Sequence, residues 1–237
     1  MMREDKMEIY IADISGYEEE ALYQKHFDLL PKERQERIAR YRYTEDCWRG
    51  VGAGILLEYG LNRLGCTLKD ERREFECVHL AQGRYGKPYI LEKEQLSYNL
   101  SHGGCYVAAV FADCETGIDI ERVRPAKLSV AKRFFTEEEY QYLLAFEGAE
   151  NLQSDTGDTP QDVAFARMWT RKESYIKAVG EGMHLPLTDF SVLQDRIVRN
   201  EVYYLRSWEM PEGYAMSVCA RNPISSEVTW LDIEKSV

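Results

Sequence analysis

The 237-residue sequence predicts an α+β protein made of two similar lobes, residues 1–113 and 114–237. Two observations carry that expectation. The order strand, helices, strands runs through the chain twice, as it does in a duplicated α+β arrangement with antiparallel strands packed on helices. In addition, GCYVAAVFA (Gly104 to Ala112) and GYAMSVCA (Gly213 to Ala220) each place a turn glycine before an apolar strand ending in alanine, late in each half. The composition, 44% hydrophobic and 30% charged, supplies a sizeable core and an ordinary globular surface.

In chain order, the alternation in MEIYIA predicts a strand over Met7 to Ala12. Helical periodicity follows over Glu18 to Leu30, Pro31 to Tyr41 and Thr44 to Leu64, with Thr44 as the expected N-cap and Gly65 just past the end. Strands are expected at Phe75 to Leu80, Ser97 to Ser101, Tyr106 to Ala112 and Gly117 to Glu121; the turns SHGG and DCET suggest that the last three form an antiparallel meander. A helix is expected over Leu128 to Phe135, and another begins after Thr136, whose hydroxyl and Glu139 form a capping box. The polar stretch Gly148 to Asp162 reads as a surface loop, and a long helix from Pro160 to Val179 stops at Gly180. Strands at Phe190 to Leu193, Val202 to Trp208, Tyr214 to Ala220 and Val228 to Ile233 complete the chain.

The formal net charge of −11 argues against wrapping nucleic acid, which needs a basic surface. A local exception is PKERQERIARYRY, where Lys32, Arg34, Arg37, Arg40 and Arg42 crowd one short stretch. Interleaved Glu33 and Glu36 make a solvated helix face the plain reading, yet a basic patch on an acidic protein also suits a small polyanion. The charged start MMREDKMEIY and the lack of a long apolar run predict neither signal peptide nor membrane span, so the cytoplasm is the expected address. Six cysteines without CxxC spacing read as reduced thiols.

Two motifs concentrate chemistry. In GIDIE, strand alternation places Asp119 and Glu121 on one face and Ile118 and Ile120 on the other, so two like charges stand side by side. A lone D-x-E is more often the polar face of a half-buried strand, but the pair also suits a divalent cation that finds a third ligand. In WTRKESYIKAVGEG, helical spacing puts Trp169, Glu173 and Lys177 on one face. Glu173 and Lys177 alone make an ordinary surface ion pair; Trp169 on the same line argues that Glu173 lies near the interior.

GIDIE followed about fifty residues later by WTRKES, with YGKP and NLSHGG upstream, resembles the 4′-phosphopantetheinyl transferases of the larger, surfactin-synthetase type. KRFFTEEEY and LPLTDFSV also fit family positions, and the similarity covers nearly the whole chain. The resemblance implies two related α+β lobes with the active site in the cleft between them. It implies transfer of 4′-phosphopantetheine from coenzyme A to a serine of an apo acyl or peptidyl carrier protein, with Mg²⁺ as cofactor and adenosine 3′,5′-bisphosphate released. Asp119, Glu121 and Glu173 would hold the metal, and Glu173 would also share in activating the serine, with Lys172 assisting electrostatically. Arg34 and Arg37 would grip the 3′-phosphate, Lys87 would reach the nucleotide end, Ser101 and His102 would bond phosphate, and Lys177 would meet the pyrophosphate.

Two departures stand out: Gly103 where many relatives carry a second serine, and Gly50 where some carry a hydroxyl residue. The expected partners are coenzyme A and a carrier protein, which would dock near the loop Gly148 to Asp162 and the helix Leu128 to Phe135; the protein itself is expected to be a monomer. Competing readings are another metal-dependent enzyme of pyrophosphate nucleotides, and a silent relative that only binds coenzyme A or carriers. Three convergent carboxylates count against silence.

Overall fold

The computed structural model describes residues 7–69, 74–146, 156–211 and 213–235. The first half runs through β1 (Met7–Asp13), α1 (Glu20–Asp28), α2 (Lys32–Ile38), α3 (Thr44–Arg63), β2 (Cys66–Thr67), β3 (Glu76–Cys77), β4 (Leu80–Gln82), β5 (Pro88–Ile90), β6 (Ser97–Gly103) and β7 (Tyr106–Ala112). The second half contains β8 (Thr116–Arg122), α4 (Leu128–Phe134), α5 (Glu137–Leu144), α6 (Pro160–Val179), β9 (Arg196–Val198), β10 (Val202–Met210), β11 (Tyr214–Ala220) and β12 (Val228–Leu231). These elements form two compact units, one from Met1–Gln82, Pro88–Asp113 and Ser226–Val237, the other from Gly83–Lys87 and Cys114–Ser225. Two segments thus differ from the division drawn on the sequence: 83–87 goes with the second unit and 226–237 with the first.

In the first unit the sheet order is β12-β1-β7-β6. β1 and β6 both run antiparallel to β7, and β12 runs parallel to β1. Every residue of β7 is buried. Its alternate side chains Val107, Ala109 and Phe111 join Tyr10 and Ala12 of β1 against Val51, Ile55 and Leu56 of α3. Burial of that apolar stripe, rather than helix propensity, is what stabilises α3, whose sequence carries several glycines.

The second unit repeats the plan. Its sheet order is β8-β11-β10-β9, antiparallel throughout, with β11 fully buried. The 20-residue helix α6 packs on β8 and β11, as the 20-residue α3 packs on β7. The two segments that echo one another in sequence, β7 and β11, are therefore inner strands of corresponding sheets. The protein is α+β with two related halves.

Several expected elements move. β8 does not continue a meander from β7; it pairs with β11 in the other sheet, Asp119 opposite Ser217. Tyr43, not Thr44, occupies the N-cap of α3, and Thr44 starts the helix itself. The strand expected at Phe190 to Leu193 is absent although Phe190 and Val192 are buried. Its backbone groups go to side chains instead: Phe190 O accepts from Lys172 Nζ and Val192 N donates to Glu139 Oε1. The capping box at Thr136 and Glu139 forms as expected, and a second closes the start of α6 through Thr159 and Asp162. No helix among the described residues is long and apolar enough to cross a membrane.

Candidate active site

β8 and α6 build an acidic group within the second unit. Gly117 explains how closely they lie: a Cβ there would stand 2.2 Å from Ser174 O and 2.5 Å from Ala178 N, so only hydrogen fits between strand and helix. Alternation then turns Asp119 and Glu121 to the same α6 face as Gly117, while Ile118 and Ile120 point away and are buried. Thr170 Oγ1 and Ser217 Oγ, 2.8 Å apart, tie α6 to β11 beside them.

Asp119 is buried, and Lys177 Nζ donates to its Oδ1 at 2.6 Å and to Ile118 O at 3.1 Å. Glu173, one turn before Lys177, is half-buried, and Glu121 lies at the outer edge of the group. Both of these carboxyls are pushed up from the ordinary range, by loss of solvation first and by the Asp119 charge second; Lys177 works in the opposite direction on each. Three carboxylates against Lys177, with Arg124 also acting on Glu121, leave the group acidic in a partly dry setting. Hard oxygen donors under such repulsion suit Mg²⁺ by donor chemistry. In the rotamers present, Asp119 faces Lys177, and among the described residues no three His, Cys, Asp or Glu side chains are gathered as an ion's ligand set.

The basic group belongs to the first unit. Arg34 on α2 lies over Gly54 of α3, where a Cβ would come within 2.6 Å of its Nε. Its Nη2 donates to Gly50 O at 3.5 Å. Burial, and then the Arg37 charge, pull the guanidinium down to about 10. Among the described residues neither Arg34 nor Arg37 has a carboxylate partner, despite Glu33 and Glu36 beside them in sequence. Ser101, buried, and His102, exposed, are consecutive on β6.

The family pattern of the 4′-phosphopantetheinyl transferase superfamily matches residues 115–219, and that of the 4′-phosphopantetheinyl transferase N-terminal region matches residues 18–114. The chain is 32% identical over 221 residues to 4′-phosphopantetheinyl transferase Sfp of Bacillus subtilis (strain 168), covering 90% of this chain and 92% of that one. The chain belongs to the 4′-phosphopantetheinyl transferase family. It is also 30% identical over 217 residues to the transferase ffp of Bacillus subtilis, covering 85% of this chain and 87% of that one. The transferase gsp of Aneurinibacillus migulanus is 30% identical over 215 residues, covering 87% and 81%.

Two lysines of this transferase make their contacts within the second unit. Lys172 is wholly buried, and its ammonium is shared among Glu139 Oε2, Leu187 O and Phe190 O, each at 2.8 Å. Its three protons are thus all engaged in the core. Lys87 donates to Ala178 O in the last turn of α6, a cation at a helix C-terminus, and burial lowers its pKa. It therefore faces the end of α6 in this structure rather than open space. Trp169 behaves as expected, half-buried and stacked on Phe165 at 6.3 Å, one turn before Glu173. Sequence reasoning passed over Glu139 as the partner of Lys172. The capping box made Glu139 visible, but a pairing across 33 residues of chain leaves no local periodic signal.

Proposed function

We propose that this transferase moves 4′-phosphopantetheine from coenzyme A to a serine hydroxyl of an apo acyl or peptidyl carrier protein and releases adenosine 3′,5′-bisphosphate. The serine oxygen forms a bond to the phosphorus that bears pantetheine. The bond from that phosphorus to the bridging oxygen of the pyrophosphate breaks, and the nucleotide leaves with the electron pair. Such a reaction asks for charge neutralisation and alignment more than for covalent help. The observation that carries the reading is the packing of β8 on α6, which sets Asp119 against Lys177 with Glu121 and Glu173 pushed toward neutrality.

Asp119, Glu121 and Glu173 would hold Mg²⁺, which when bound supplies neutralisation and orientation of the phosphates. Glu173 also takes the serine proton, directly or through one water. Lys177, a flexible cation now on Asp119, contacts the pyrophosphate. Arg34 and Arg37 hold the 3′-phosphate, the first supported by a half-dry guanidinium that has no carboxylate partner among the described residues. Ser101 and His102 bond phosphate, and Lys87 approaches the nucleotide only by leaving Ala178 O. The carrier docks on α4, where Lys132 and Arg133 are exposed and Arg133 lies over the Phe134 ring at 5.0 Å. The loop candidate Gly148 to Asp162 lies outside the described residues up to position 155.

The test is incubation with coenzyme A, Mg²⁺ and a panel of apo carriers, followed by mass spectrometry. One phosphopantetheine should appear on at least one carrier, with adenosine 3′,5′-bisphosphate in equal amount. D119N, E121Q and E173Q should each lose about 10²-fold or more in turnover. No mass gain on any carrier overturns the activity, and undiminished turnover in excess chelator overturns the metal.

A further inference from the structure

The buried Lys172 and Glu139 pair raises a question that core stability does not answer. A charge pair removed from water gains little over a well-packed apolar pair of the same volume. Yet this one is fully built. Lys172 Nζ meets Glu139 Oε2, Leu187 O and Phe190 O, each at 2.8 Å, and lies 4.5 Å from the centre of the Phe190 ring. Glu139 in turn accepts from Thr136 N at 2.8 Å and from Val192 N at 2.7 Å. Five polar contacts, the mutual one included, thus join the start of α5, the middle of α6 and the segment 187–192 at one point.

What such a node fixes is geometry. Apolar contacts tolerate a helix that slides or turns slightly, whereas three directional bonds from one ammonium do not. Lys172 is followed immediately by Glu173, about 100° round the helix. On its other side α6 presents Ser174 O and Ala178 N to Gly117 with no room for a methyl group. The helix is thereby located from two sides.

We propose that Lys172, through Glu139, is a positioning residue: it sets the rotation and axial level of α6 so that Glu173 and Lys177 stand opposite Asp119. Lys172 touches no substrate. The proposal rests on the phosphopantetheinyl transfer assigned above and deepens it, giving the lysine of the K-E pair a mechanical role and its neighbouring glutamate the chemical one.

The test replaces both charges at once, K172M/E139Q, so that no buried ion is left alone; the glutamine keeps an acceptor for Val192 N. The expected variant stays folded at 25 °C but melts at a lower temperature, because Leu187 O and Phe190 O lose their donor while no buried charge is left alone. Its Mg²⁺ affinity, read by calorimetry with the metal alone, should fall about 10- to 100-fold, as it does when the support of a ligand is removed. Turnover should fall about 10²-fold with KM for coenzyme A within twofold, because a shift near 1 Å misplaces the reacting groups without removing a contact. A folded double variant with unaltered Mg²⁺ affinity and unaltered kcat overturns the proposal. If the double variant does not fold at 25 °C, K172R decides: it keeps the charge but not the reach, and folded K172R with unaltered Mg²⁺ affinity and kcat overturns positioning. Failure of both variants to fold also overturns it, since the pair would then be a stability element. Failure of the transferase reading looks different: the unaltered protein would then modify no carrier, while the melting and Mg²⁺ comparisons would still report on Lys172.

Discussion

Arg34 shows how a residue type visible in sequence acquires meaning only from its surroundings. The sequence displayed five basic residues with glutamates between them, a pattern that usually neutralises itself along a helix face. In the structure Arg34 turns inward over Gly54 and neither Arg34 nor Arg37 finds a carboxylate among the described residues. Alternation of types could not reveal this, because the inward turn depends on a glycine in a different helix. A half-dry guanidinium with a second one near it is a ready partner for a phosphate dianion. R34A/R37A should therefore weaken coenzyme A by about 10²-fold or more, given roughly 1.5–3 kcal/mol for each hydrogen bond to a charged group. Dephospho-coenzyme A, which lacks the 3′-phosphate, should change by less than about threefold. Calorimetric titration of both ligands checks this, and equal losses would move the arginines away from that phosphate. The same logic explains Lys172, whose charge suggested chemistry until its three bonds placed it in the core.

Among the elements, those with strong local signals were legible and those defined by distant partners were not. α6 was readable from Pro160 to Val179 through its periodicity, its first-turn proline and the glycine after its end. The capping box of α5 was readable because its two residues are three apart. β8 was readable as a strand, but its partner was not: a meander is the nearest pairing in sequence, whereas β8 joins β11 almost a hundred residues later. The false strand at Phe190 to Leu193 has the apolar pattern of a strand, yet its backbone bonds end on Lys172 and Glu139. Gly117 is the residue on which the element pair depends. G117A would drive a methyl group into the backbone of α6 at Ser174 and Ala178, where no flexible side chain can yield. Overpacking of this kind costs about 1–3 kcal/mol, and more against rigid backbone. The variant should lose stability by at least that much in urea unfolding, and any folded fraction should have lower turnover because β8 is displaced from Glu173 and Lys177. Unaltered stability together with unaltered turnover would mean that strand and helix are not held at this spacing.

At the scale of the whole chain, the last residues bind the architecture in a way the sequence concealed. Val228 to Ile233 follows the second lobe, so a division by position assigned it there. In the structure β12 returns to the first unit and pairs in parallel with β1, from Ile9 opposite Val228 to Ala12 opposite Leu231. Ser226 Oγ donates to Met7 O at 2.8 Å, Trp230 meets the Tyr106 ring edge-on at 5.7 Å, and Ile233 is buried in the core beneath the first sheet. Parallel pairing requires a connection long enough to return to the same end of the strand, and here the whole second unit lies between the two partners. Short-range turn signals cannot report such a pairing. It follows that removing residues 226–237 should injure the first unit, not the second. The truncation takes Ile233 from the core and exposes the backbone edge of β1, so stability should drop by about 3 kcal/mol or more. The bare strand should also promote self-association. Urea unfolding with tryptophan emission, together with light scattering, checks both effects. I233A separates them: it should lose about 2–5 kcal/mol without associating, because β12 still covers the edge. A truncated protein that unfolds at the same urea concentration as the full chain and stays monodisperse would show that β12 is not what closes the first sheet.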